Sequence, residues 1–166
     1  MSKDQPVIFL VDDDPVYIIR LKDHLTEKPD FKAHIYTYSF GEECLKHINM
    51  GPDIVVLNYY FAPVDEENPD KKLMNGFELI AHLKAHKPDI HLILLSNETD
   101  VEVANTTIKE GDYDYIIKYE YAPVQLQSLI SRILLNKTYT KKVKYWKWGA
   151  IAIGVLLIIV IIYLAA

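Results

Sequence analysis

Six glycines and a single cysteine in 166 residues set the first limits. One thiol, Cys44, cannot close an internal disulfide. It fits a reducing compartment and a packed, inert place in a core. The chain has no Gly-rich phosphate loop and no Gly-x-Ser-x-Gly elbow, which argues against a nucleotide enzyme or a serine hydrolase. Positive charge is scarce in the first part: residues 1–136 hold 13 Lys/Arg against all 23 Asp/Glu, a balance of −10. Nucleic-acid binding needs a basic footprint, so no nucleic-acid partner is expected. Met-Ser-Lys-Asp-Gln-Pro leads into only a short apolar run, which is not a signal peptide. No internal repeat or low-complexity stretch is present.

Charge is missing altogether from Gly149 to Ala166, where most positions are Ile, Leu, Val or Ala. At ~1.5 Å rise per residue this stretch reaches roughly 27 Å, close to a bilayer's hydrocarbon thickness. Tyr145, Trp146 and Trp148 flank one end and Tyr163 stands near the other, as interfacial aromatics do. Residues 137–147 carry Lys137, Lys141, Lys142, Lys144 and Lys147 and no acid, +5 in all. By the positive-inside rule that side faces the cytoplasm. The expectation is a single-pass, tail-anchored protein of the cytoplasmic membrane. Residues 1–136 form its domain, 137–147 a basic juxtamembrane linker and 148–166 a transmembrane helix. The lysines suit anionic lipid headgroups. Ala150 and Gly154, small residues four apart, have the spacing of a helix dimer, so a homodimer stays open beside the simpler reading of lipid-facing small residues.

The first 136 residues alternate between strand and helix patterns. Val7–Val11 and Ile54–Leu57 are continuous apolar runs, as in strands buried on both faces, and His34–Tyr38 is a shorter strand. Strands are also expected at Ile90–Leu95 and Tyr113–Lys118. Asp14-Pro15 opens a helix to about Leu25. Ser39-Phe-Gly-Glu42 reads as a capping box for a helix to about Ile48. Asn75 caps a helix from Gly76, and Thr99-Asp-Val-Glu102 opens a fourth helix to about Lys109. Pro123 opens a fifth, with Leu126, Leu129, Ile130, Ile133 and Leu134 on one face. Five βα units predict a parallel sheet covered on both faces. The connection from Asn58 to Asn75 is unusually long for a βα loop and holds Asp65, Glu66, Glu67 and Asp70, so a solvated, mobile loop is expected.

Ligands of open parallel sheets sit at the carboxyl ends of the strands. Those ends carry Asp12 and Asp13, Asn58, Ser96 and Lys118. Carboxylates suit a hard cation such as Mg²⁺, and a lysine with a hydroxyl suits phosphoryl oxygens. A buried Asp–Lys pair that merely orders the sheet edge explains the same residues equally well. Glu78, His82 and His86 at four-residue spacing favour a solvated helix face over a metal site.

Val11-Asp12-Asp13-Asp14-Pro15, Pro52-Asp-Ile-Val-Val-Leu57, Met74-Asn-Gly-Phe-Glu78, Leu94-Leu-Ser96 and Tyr115-Ile-Ile-Lys118 together resemble the response-regulator receiver domain of two-component signalling. The resemblance covers residues 5 to about 136. It implies a flavodoxin-like (βα)5 three-layer sandwich with strand order 2-1-3-4-5. It also implies roles: Asp12 and Asp13 as the Mg²⁺ acidic pair, Ser96 as switch hydroxyl, Tyr115 as switch aromatic and Lys118 as phosphate-pairing lysine. Family members accept phosphate on an aspartate where this chain has Asn58, and a carboxamide cannot form an acyl phosphate. Two carboxylates instead of three also weaken the cation site. Asn97 and Tyr119 depart from the small residue and the proline usual at those places. The resulting expectation is a non-enzymatic, phosphorylation-independent pseudo-receiver at the membrane. Its partner would be a histidine kinase, phosphotransfer or output protein, contacted through the face of the fourth helix, fifth strand and fifth helix. The alternative is a working phosphoacceptor receiver with a substitute acceptor such as Asp65, or one responding to Mg²⁺ or a ligand at the acidic pair. Only the lysine-rich linker and the apolar stretch follow residue 136, so direct transcriptional control is not expected.

Overall fold

The computed structural model of the chain describes residues 5–27, 29, 31–59, 61, 74–96 and 113–165. Strands β1 (Val7–Val11), β2 (His34–Tyr38), β3 (Ile54–Asn58), β4 (His91–Ser96) and β5 (Asp114–Ile117) form one parallel sheet in the order β2-β1-β3-β4-β5. This is the flavodoxin-like arrangement expected. Helices α1 (Pro15–Thr26), α2 (Gly41–Lys46) and α3 (Gly76–His86) connect the early strands, with a 3-10 turn at Ile48–Met50. A C-terminal helix spans Ala122–Ala165. The fourth helix expected at 99–109 lies outside the described residues.

The apolar runs fold as strands because both sheet faces are covered. Alternate residues on one face, Phe9, Val11, Val55, Leu57, Leu92 and Leu94, join Leu79, Ile80 and Leu83 of α3 and Cys44 of α2 in one buried cluster. Ile8, Leu10, Ile54, Val56, Ile93 and Leu95, pointing the other way, are also buried, as are Ile18, Leu21 and Leu25 of α1 and Ala122 and Leu126 of the C-terminal helix. The Gln127 amide donates to the His24 carbonyl at 3.0 Å, which ties that helix to α1.

Two caps follow the sequence and one does not. Asp14 accepts from the Val16 and Tyr17 amides, and Asn75 forms a reciprocal capping box with Glu78. The capping box expected at Ser39 and Glu42 is not made: Phe40 is the N-cap of α2 and provides no side-chain bond. Glu42 reaches instead across the fold to accept from the Met74 amide at 2.8 Å. A tertiary partner has displaced a local one, at the end of the long loop. Only Tyr59, Phe61 and Met74 of residues 59–74 are described, so Asp65 and the expected mobility of this loop lie outside the described residues.

The chain divides into two compact units, Met1–Leu129 and Ile130–Ala166. The second unit is helical through Ala165. Among the described residues no helix is long and apolar enough to cross a membrane. The apolar stretch falls largely outside that description, since from 149 to 166 side chains are described only at 151, 153–155, 163 and 164.

Candidate functional site

Strand register brings the site together. Val11 pairs with Leu57, Asn58 with Leu95 and Ser96 with Ile117. The next residues along, Asp12 after β1 and Lys118 after β5, therefore leave the sheet at the same edge as Asn58. Asp12, Asp13, Asn58 and Lys118 line one pocket, with Asp14, Tyr17, Arg20, Phe61, Tyr119 and Glu120. Ser96 is almost fully buried, and its carbonyl accepts from the Lys118 amide at 2.7 Å, fixing the start of the lysine's backbone. Tyr115 packs against the core cluster and is not among the lining residues described for that pocket.

Two contacts dominate the electrostatics. Lys118 Nζ lies 2.7 Å from Asp12 Oδ2, with Asp12 only 3% exposed. Burial raises the Asp12 carboxyl above its ordinary range; the Lys118 ammonium and the Asp14 amide oppose that rise, and nearby Asp13 adds to it. Asp12 Oδ1 accepts from the Asp14 amide at 3.1 Å, so both of its oxygens are engaged. Across the pocket, Asn58 Nδ2 donates to Asp13 Oδ1 at 3.0 Å, and Asn58 Oδ1 accepts from the Tyr59 amide at 3.0 Å. The Asn58 side chain is buried at 8% exposure.

Sequence reasoning missed Tyr17. One turn into α1, its ring lies 4.8 Å from Lys118 Nζ, a cation–π arrangement. Its hydroxyl is buried, without a hydrogen-bond partner among the described residues. Burial, and then the Asp12 charge, push it up to about 12. The Asp14-Pro15 helix start was the available signal, because it places position 17 on the first turn beside the lysine. Gly76 was also missed. Its amide donates to the Tyr59 carbonyl at 2.8 Å, and a Cβ there would stand 2.8 Å from the Asn58 backbone oxygen. The ends of the long loop thus meet directly behind Asn58.

The donor set does not fit a resident Mg²⁺ well. Among the described residues no group of three His, Cys, Asp or Glu could hold a metal ion. One carboxylate is bonded to an ammonium, the other to an amide N–H. A hard cation needs oxygens free to turn toward it.

Beside this pocket, on α1 and at the start of the C-terminal helix with the turn before it, Val16, Ile19, Tyr121 and Val124 line a shallow groove and are each half or more exposed.

The family model described as the response regulator receiver domain matches residues 8–133. A curated relative, "Probable C4-dicarboxylate response regulator DctR" of Bacillus subtilis (strain 168), is 25% identical over 145 residues, covering 87% of this chain and 58% of that protein. The chain therefore spans little more than half the length of that relative. The BeF3-activated DrrB receiver domain superposes with a TM-score of 0.62 at 25% identity, over 78% of this chain and 97% of that one. A CheY-like receiver domain protein from Methanospirillum hungatei JF-1 superposes with a TM-score of 0.63 at 17% identity, over 82% of this chain and 99% of that one, a likeness of fold alone. With its strand order, its acidic edge and a family match across the whole sheet, the chain belongs to the response regulator receiver domain family of two-component signalling.

Proposed function

We propose that this protein is a membrane-tethered pseudo-receiver that recruits a signalling partner without aspartyl phosphorylation and without enzymatic activity of its own. The observation that carries this reading is Asn58 at the end of β3, buried and hydrogen-bonded to Asp13 where the family resemblance places the phosphoacceptor. An amide in that place offers no carboxylate to a phosphodonor. Ser96, Tyr115 and Lys118 then serve as structural remnants of a switch, and Lys118 neutralises Asp12 rather than a phosphoryl group. Bound Mg²⁺ at Asp12 and Asp13 is weak at most.

The tether is the uncharged run 149–166, preceded by five lysines and flanked by Trp146 and Trp148, both exposed. Anionic headgroups pair with the lysines, and the domain lies on the cytoplasmic side. The partner is a protein of the two-component class, a kinase, phosphotransfer or output protein. The face expected to receive it includes the fourth helix, which lies outside the described residues. The exposed apolar groove of Val16, Ile19, Tyr121 and Val124 supports the broader idea of a protein contact. A homodimer through Ala150 and Gly154 is compatible with this arrangement.

The test is intact mass spectrometry of the full chain in detergent with Mg²⁺ and acetyl phosphate, beside Asn58→Asp. The reading expects no mass gain for the natural chain. A phosphoryl gain on the natural chain overturns it and points to a substitute acceptor such as Asp65.

A further inference from the structure

The orientation of the Asn58 amide is fixed by its neighbours. Asp13 Oδ1 can only accept, and the Tyr59 N–H can only donate. A side chain at position 58 that satisfies both must carry a donor and an acceptor on one planar head of this length, which is asparagine. An aspartate there could still accept from Tyr59, but it would face Asp13 with a second negative oxygen in place of an N–H. Two carboxylates about 3 Å apart repel strongly unless a proton or a cation stands between them. The Lys118 ammonium is paired with Asp12 at 2.7 Å and so already offsets one of the edge's negative charges.

We infer that the Asn58 carboxamide is a built-in stand-in for a divalent cation: with Lys118 charge-paired to Asp12, its N–H satisfies Asp13 Oδ1 without adding the negative charge an aspartate would bring, so the site is assembled in the absence of Mg²⁺. The inference rests on the pseudo-receiver reading and adds to it. A chain with an apolar residue at position 58 would lack the N–H that Asn58 gives to Asp13 Oδ1. A chain in which the amide satisfies Asp13 holds that geometry constitutively and ignores changes in Mg²⁺. Close packing at Gly76 strengthens the effect. Even a methyl at position 76 would stand 2.8 Å from the Asn58 backbone oxygen, so the strand end has little room to rearrange.

Thermal unfolding of the full chain in detergent tests this, in EDTA and in 10 mM Mg²⁺, followed by near-ultraviolet circular dichroism. The natural chain is expected to unfold at the same temperature in both, within about 1 °C. Asn58→Asp is expected to lose about 5 °C or more in EDTA and to regain most of it in Mg²⁺. The exchange variant, Asp13→Asn with Asn58→Asp, passes the N–H to the other side of the same hydrogen bond and should be Mg²⁺-independent again. Mg²⁺ stabilisation of the natural chain as large as that of Asn58→Asp overturns the inference. So does an Asn58→Asp chain as stable in EDTA as the natural one. If Asn58→Asp fails to fold in either buffer, the exchange variant decides: recovery supports the amide's role, and failure refutes it. A natural chain that is Mg²⁺-stabilised yet unphosphorylated by acetyl phosphate refutes this inference alone, whereas phosphorylation of the natural chain refutes the pseudo-receiver reading beneath it.

Discussion

Lys118 and Asp12 form a buried ion pair in which each partner makes the other tolerable. Lys118→Met removes the ammonium and leaves Asp12 buried, so it should cost about 3–5 kcal/mol at pH 7. Its pH dependence follows from the charge. Burial already raises the folded Asp12 carboxyl above the ordinary carboxylate value, and losing Lys118 raises it further. A raised folded value favours the protonated native state, whose stability is present at low pH and lost as pH climbs through that value. The deficit of Lys118→Met relative to the natural chain should therefore narrow as pH falls from 7 toward 5, measured by urea unfolding. A deficit that stays constant across that range would mean that Asp12 is not the group left exposed to the loss. At Gly76 the constraint is steric rather than electrostatic. Gly76→Ala places a methyl 2.8–2.9 Å from the Asn58 and Tyr59 backbone, and backbone cannot yield as a flexible side chain can. The expected cost is about 1–3 kcal/mol by chemical denaturation.

Helices α1 and α3 owe their starts to single polar side chains, Asp14 and Asn75. Asn75→Ala removes the half of the box in which the Asn75 side chain accepts from the Glu78 amide, leaving the residue-75 backbone N–H on the Glu78 carboxylate, and should destabilise the domain by about 1 kcal/mol. Glu42→Ala should cost a comparable amount for another reason: it releases the Met74 amide at the mouth of the long loop rather than a helix end. Because the two changes act on adjacent residues, Met74 and Asn75, their effects should not add, and a double-mutant cycle by urea unfolding would show coupling of about 0.5 kcal/mol or more. The same stem is braced by aromatic rings: Phe40 against Phe61 at 6.4 Å, and Tyr59 against Phe77 at 5.0 Å. The element that carries Asn58 is thus fixed from behind by its own connection to α3.

For the whole molecule, Cys44 reports on global stability. It is fully buried, and burial, helped by the Glu43 charge, pushes the thiol from 9 up to about 12. Unfolded chains ionise this thiol near 9 while the native state keeps its proton, so the native state binds more protons between those values. Stability should fall there by about 1.4 kcal/mol per pH unit from this one group, and Cys44→Ala should remove that slope. Below pH 9 the native thiol should resist alkylation at a rate set by unfolding alone. At the scale of cell architecture, the full chain should float with neutral lipid vesicles whatever the salt concentration. A chain ending at residue 147 should bind only anionic vesicles and dissociate in high salt, since the five lysines act through a screened field. Salt-independent flotation of that shorter chain would contradict a tether at 149–166.

Local chemistry in the sequence was enough for much of this. Short apolar runs of strand length, alternating with amphipathic segments that begin at polar helix starts, point to a parallel βα sheet covered on both faces. The strand ends follow at once, and with them Asp12, Asn58, Ser96 and Lys118 at one edge. Cap residues at Asp14 and Asn75 were legible for the same reason: their bonds reach only two or three residues along the chain. Bonds that span the fold were not legible. Glu42 has the spacing of a capping box, yet bonds Met74 32 residues away, a partner no local pattern reveals. The pairing of Asn58 with Asp13, 45 residues apart, likewise depends on the register of β1 against β3. Sequence alone established that position 58 carries a carboxamide and not a carboxylate. Tertiary structure decided where the amide's N–H goes, because a hydrogen bond exists only once two distant strand ends have been brought to 3.0 Å.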